Sequence, residues 1–135
     1  MEYIIEVEGL RKQYPEFALK DVSFKIPGGC IMGLIGENGA GKSTTLKAIL
    51  DLIHIDGGKI SVFGKSMKDS GKAIREDIGV VLDGAGFHAS LNITNIGAFM
   101  SKIYKKWDEP YYERLCERFS LSATQRIQDY STGMR

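Results

Sequence analysis

The sequence predicts an α/β fold, and three observations carry that prediction. Strand-like alternation of apolar and polar residues fills the first 26 positions. The stretch GENGAGKST, Gly36 to Thr44, separates a short apolar run from a segment of helical period. After Asp83 the pattern changes from strands to helices. A chain of 135 residues is one domain's worth, enough to bury about two-thirds of its extended surface.

The elements follow in order. Tyr3 to Val7 and Ala18 to Ile26 alternate as half-exposed strands, with Arg11 to Glu16 a polar turn between them. Cys30 to Ile35, bounded by Pro27-Gly28-Gly29, reads as a buried strand. From Lys42 the apolar positions Leu46, Ile49, Leu50 and Ile53 recur at helical spacing until Gly57-Gly58. Lys59 to Phe63 is a further strand ending at Gly64. Lys65 to Asp77 reads as a loop with a short helix, and Ile78 to Leu82 as a central strand. Gly84-Ala85-Gly86 is a flexible joint, followed by helices over 92–104 and 108–119. Asp108 is positioned as an N-cap with Pro110 in the first turn. The second of these helices carries an apolar stripe of Tyr111, Leu115 and Phe119 with Tyr112 and Cys116, expected to be core.

Composition excludes several classes. Eighteen basic residues against 17 acidic leave a net charge of +1, which gives no electrostatic footprint for nucleic acid. No apolar run reaches the roughly 18 residues that span a bilayer, and the acidic, alternating start MEYIIEVEGL is unlike a signal peptide, so the expected location is cytoplasmic. Cys30 and Cys116 sit in apolar settings without C-x-x-C spacing and are expected in the core. His54 and His88 are isolated and expected at the surface rather than on a metal.

The chemistry lies in the loop. Gly36, Gly41, Lys42 and Ser43 fit G-x-x-x-x-G-K-[ST], with Gly39 between. Glycines allow φ > 0, so successive N–H groups can form one concavity for an anion, and the following helix adds unpaired N–H groups and its positive dipole end. Lys42 is positioned to reach the β and γ phosphates, and Ser43 to offer its hydroxyl to Mg²⁺. At the other end of the chain, Tyr130-Ser131-Thr132-Gly133-Met134-Arg135 is a weaker signal. If a helix begins there, Ser131 and Gly133 face an anion, and otherwise they form an ordinary cap.

Together, GENGAGKST, IGVVLD and YSTGMR, in that order, resemble the nucleotide-binding domain of ABC transporters over essentially the whole chain. The resemblance implies a P-loop NTPase of the ABC ATPase type. Its core, incomplete here, would occupy residues 1–83, with an antiparallel β subdomain, and a helical subdomain would occupy 84–135. It implies ATP and Mg²⁺ as cofactors, with Gly36, Asn38, Gly39, Ala40, Gly41, Lys42, Ser43 and Thr44 holding the phosphates. YSTGMR looks like the YSxGM form of the LSGGQ signature in ABC-2 type drug and antibiotic exporters, so Ser131 and Gly133 carry over. Thr132, Met134 and Arg135 depart from LSGGQ. Tyr14, 22 residues before Gly36, matches the family's adenine-stacking aromatic; read without the family it is an exposed turn tyrosine. Asp83 stands where the family has a glutamine beside Mg²⁺ and the attacking water. It is either a metal ligand with a catalytic part, beside Lys42, or the first residue of an Asp-Gly turn.

What the resemblance implies as function is the ATP-hydrolysing subunit of an ABC exporter. Such a subunit is peripheral on the cytoplasmic face of the membrane and partnered by a membrane-spanning subunit and by a second nucleotide-binding domain whose signature closes over ATP. The helical region after Asp83, with Phe87, Leu91, Ile93, Ile96, Phe99 and Ile103, would supply part of the membrane-subunit contact and most of its own core. The family's later aspartate, catalytic glutamate and switch histidine would follow Arg135, so the chain is expected to be the amino-terminal portion of a longer domain and inactive alone. Two alternatives stand beside this reading: a nucleotide-binding or regulatory module without turnover, and a soluble ABC protein outside transport. A generic P-loop GTPase or small-molecule kinase accounts for neither Tyr14 nor YSTGMR, and no N-K-x-D motif is present.

Overall fold

A computed structural model describes residues 3–81, 86–131 and 133. The chain divides into two units, one up to Ile78 and one from Gly79.

In the first unit β1 (Tyr3–Tyr14) and β2 (Phe17–Pro27) form a long antiparallel hairpin, and β3 (Gly57–Val62) pairs with the other edge of β1. A two-residue β4 (Lys65–Ser66) completes the order β2-β1-β3-β4. The expected polar turn over Arg11 to Glu16 shrinks to Pro15-Glu16, because Lys12, Gln13 and Tyr14 pair with Leu19, Ala18 and Phe17. Register shifts around Gly9 (φ +58°) and Leu10 break the period-2 alternation, so the strand continues where the pattern does not. The β3–β4 turn is Phe63-Gly64, both at positive φ, as a type I′ hairpin needs. Phe63 accepts that backbone while its ring packs against the core.

That core joins Val7, Leu10, Leu19 and Val62 of the sheet to Ala48 and Ile49 of α1 (Lys42–Ile49) and to Met67 and Ile74 of α2 (Met67–Arg75). Burial of each large apolar side chain stabilises by about 1.5–3 kcal/mol. Helix α1 stops short of the expected Ile53. Asp51 takes φ +57°, its N–H bonds Ala48 O (3.1 Å), and Leu52 N–H bonds Lys47 O (2.9 Å), the paired bonds of a Schellman stop. Ile53 packs on the core from the loop beyond.

Two expected strands do not form. Residues 30–35 pair with no strand among the described residues, and Ile31 and Ile35 are almost fully exposed. Residues 78–81 likewise carry no ladder: Ile78 packs against the core, whereas Val81 is fully exposed, and Leu82 lies outside the described residues. An apolar run becomes a central strand only where neighbours pair with both of its edges, and among the described residues neither run is taken into the sheet β2-β1-β3-β4. Cys30, expected in the core, is therefore exposed, its Sγ 3.2 Å from Pro27 O.

The second unit holds α3 (Ile93–Ile103) and α4 (Glu109–Arg118). A capping box opens α3, with Asn92 Oδ1 accepting from Asn95 N (2.9 Å) and Asn95 Oδ1 from Asn92 N (3.4 Å). As expected, Asp108 caps α4, accepting from Tyr111 N at 2.8 Å. The stripe on α4 is rotated from its expected place. Tyr112, Leu115 and Cys116 face inward, while Tyr111 and Phe119 are exposed. Tyr112 lies against Trp107 and against Gly97, where a Cβ would meet its ring at 2.7 Å. Only glycine admits α4 that closely. The segment after α4 returns to the start of α3 through Ile127 N–H on Leu91 O (2.8 Å) and Gln128 N–H on Ala89 O (3.0 Å).

Candidate functional site

Helix α1 begins where the glycine loop ends. Gly41 is its N-cap at φ +95° and Gly39 sits at φ +87°, backbone that residues with a Cβ rarely adopt. A Cβ on Gly41 would also meet Leu19 Cδ2 and Phe17 Cζ. No side chain caps this end, so the first-turn N–H groups of α1 are left for a ligand. Ala40 N–H bonds Glu37 O (3.1 Å), and the buried Thr45 donates its Oγ1 hydrogen to Gly41 O (2.9 Å). Lys42 Nζ donates to Gly36 O (2.6 Å) and Glu37 O (2.7 Å). The loop is thus curled around its own lysine, and the cation stands inside the curve where phosphate oxygens would sit.

Gly36 lies so close to Ala40 that an added Cβ would come within 3.2 Å of it. Asn38 and Ser43 are exposed, and Thr44 is half-buried in the first turn of α1. The exposed Ser43 carries a hydroxyl, one oxygen donor of the kind that Mg²⁺ takes. Among the described residues no three His, Cys, Asp or Glu side chains gather as a metal site.

Tyr14 ends β1 at the hairpin tip, and the hairpin brings it to the loop. Its ring centroid is 6.4 Å from that of Phe17, with 28° between the planes, and Phe17 abuts Gly41. Lys12 Nζ stands 5.3 Å from the Tyr14 centroid. The family resemblance singled out Tyr14 but gave no sign of Phe17 or Lys12, which reach it through the strand register.

Asp83, Thr132, Met134 and Arg135 lie outside the described residues. In the second unit Ser131 and Gly133 are exposed after the short 3₁₀ turn Ile127–Asp129. Tyr130 before them is buried, its hydroxyl donating to Ser122 O at 3.0 Å. His54 and His88 are exposed, as expected; His88 Nδ1 is 2.8 Å from Ser90 Oγ. A cavity of about 800 Å³ in the first unit, bounded by Glu6, Glu8, Asp51, His54, Lys59 and Lys68, includes no residue of GENGAGKST. Its mixed charges and open floor bring no convergent set of groups together.

A family model described as "ABC transporter" matches residues 19–135. The bacitracin transport ATP-binding protein BcrA of Enterococcus faecalis is 32% identical over 138 residues, covering 100% of this chain and 45% of that protein. The methionine import ATP-binding protein MetN of Protochlamydia amoebophila is 36% identical over 150 residues, covering 98% of this chain and 42% of its own length. A solved ATP-binding subunit of an ABC transporter superposes with a TM-score of 0.83 at 30% identity, over 97% of this chain and 57% of that one. The chain thus spans less than half the length of these two curated relatives.

Proposed function

This chain belongs to the ABC transporter family, and from that premise we propose that the whole protein is the ATP-binding subunit of an ABC transporter, coupling ATP binding and hydrolysis to export through a separate membrane-spanning subunit. The observation that carries this reading is the curl of Gly36 to Thr44 around Lys42, opening onto the uncapped start of α1. A triphosphate entering the curl takes over Lys42's donor hydrogens and the free N–H groups, while Tyr14 offers its ring to the base. Ser43 would hold Mg²⁺, with Asp83 either a second ligand or the first residue of an Asp-Gly turn, and the metal would neutralise charge on the phosphates. Lys42 then stabilises negative charge as the γ phosphate departs.

Ser131 and Gly133 act on a second nucleotide-binding domain, closing over the triphosphate bound there, and residues 1–83 and 84–135 divide the work between nucleotide and partner contact. The exposed Phe87, Phe99 and Ile103 of the second unit supply apolar surface for the membrane subunit. The likeness of YSTGMR to the ABC-2 exporter form supports export, and a membrane partner puts the protein on the cytoplasmic face. Light scattering of the whole protein tests the arrangement. ATP should produce a dimer, and Ser131→Arg should abolish it while leaving ATP affinity unchanged; a normal ATP-driven dimer in the variant contradicts the role given to Ser131.

A further inference from the structure

A hairpin tip is ordinarily the least restrained part of a sheet. The tip that carries Tyr14 is instead fastened from outside the hairpin by one residue, Asp56, in the loop before β3. Asp56 N–H donates to Arg11 O (2.9 Å) and Asp56 Oδ2 accepts from Gln13 N (2.7 Å). Asp56 Oδ1 is 3.6 Å from Lys12 Nζ, and that ammonium stands 5.3 Å from the centre of the Tyr14 ring. Gln13 adds a further tie, its Nε2 donating to Tyr14 O at 2.8 Å. A single carboxylate thus holds the backbone beside Tyr14 with one oxygen and the cation against its ring with the other. The Gln13 N–H, and after it Lys12, keep the Asp56 carboxyl below the usual carboxylate range, so it is charged at neutral pH. On the Tyr14 ring's own sheet face Phe17 abuts Gly41, so a tip held in register keeps the ring at a fixed distance from the phosphate loop.

We propose that Asp56 is a positioning residue for base recognition: through Gln13 and Lys12 it holds the Tyr14 ring beside the phosphate loop, and the preference for ATP over a polyphosphate without a base depends on it. The inference rests on the nucleotide-binding reading above and adds to it a residue with no part in phosphate contact. Asparagine at this position keeps an oxygen for Gln13 N–H but loses the charge that holds Lys12.

Titration calorimetry of the chain with Mg²⁺–ATP and with Mg²⁺–tripolyphosphate separates the possibilities. The wild type should bind ATP about tenfold more tightly than tripolyphosphate, the size of one base–aromatic stack. Asp56→Asn should lose most of that preference with its tripolyphosphate affinity unchanged. Lys12→Gln, which leaves the Asp56–Gln13 bond in place, should do the same and serves if the first variant does not fold. Retention of the full preference in both variants overturns the proposal, as does an equal loss for both ligands, which is the mark of a structural role alone. A wild type that prefers neither ligand overturns it by removing the Tyr14 platform. A wild type that binds neither overturns the nucleotide reading as well.

Discussion

Tyr112 shows how one side chain can set a pH limit on the helical unit. Its hydroxyl donates to Ile93 O at 2.7 Å, and burial, followed by the neighbouring Cys116, pushes its pKa up from 10.0 to about 12. The folded state therefore favours the neutral phenol. Its folded pKa lies above its unfolded one, so the contribution is fully present below pH 10.0 and is lost as pH rises towards about 12. Alkaline unfolding followed by circular dichroism should run with a tyrosinate absorbance change across this window. Tyr112→Phe should remove the contribution of one tyrosine from that step and cost about 1 kcal/mol at neutral pH for the lost hydrogen bond. At this scale the phosphate loop was legible, because its chemistry depends on fixed spacing within nine residues. The surroundings of Tyr14 were not. Phe17, Lys12 and Asp56 meet it through a bulged register and a distant loop, and no local pattern encodes that meeting.

Elements were legible where a boundary has its own chemistry. Asp108 with Pro110 marked the start of α4, and Asn92 the start of α3, and both cap as side chains of those types do. Asn92→Ala should cost about 1 kcal/mol by denaturant unfolding. The far end of α4 offers the opposite change. Ser120 occupies φ +53° in a Schellman stop, its N–H on Glu117 O and that of Leu121 on Cys116 O, both at 2.9 Å. Ser120→Gly should stabilise by roughly 1 kcal/mol in the same experiment, since glycine bears no Cβ penalty there; a loss of stability would contradict the assignment of that stop. The end of α1 was misread because Leu50 and Ile53 continue its apolar period, whereas an aspartate at positive φ ends the helix without glycine. The runs at 30–35 and 78–81 were misread for another reason. Apolar character records what a segment would bury, and pairing depends on which strands are there to receive it.

For the whole molecule, strands precede helices as the sequence pattern predicts, with the sheet, α1 and α2 in the first unit and α3 and α4 in the second, but the runs at 30–35 and 78–81 add no strand among the described residues. Family membership adds what a single pattern cannot supply, since the same loop serves many nucleotide-binding folds. On the function proposed above, this arrangement grips a nucleoside triphosphate through Lys42. The most direct test of that grip is titration calorimetry of Mg²⁺–ATP into the wild-type chain and into Lys42→Ala, with circular dichroism to establish that both are folded. The wild type should bind, and the variant should lose about tenfold or more in affinity, the scale of a charge-assisted hydrogen bond. Equal ATP affinity in two folded proteins would contradict that grip.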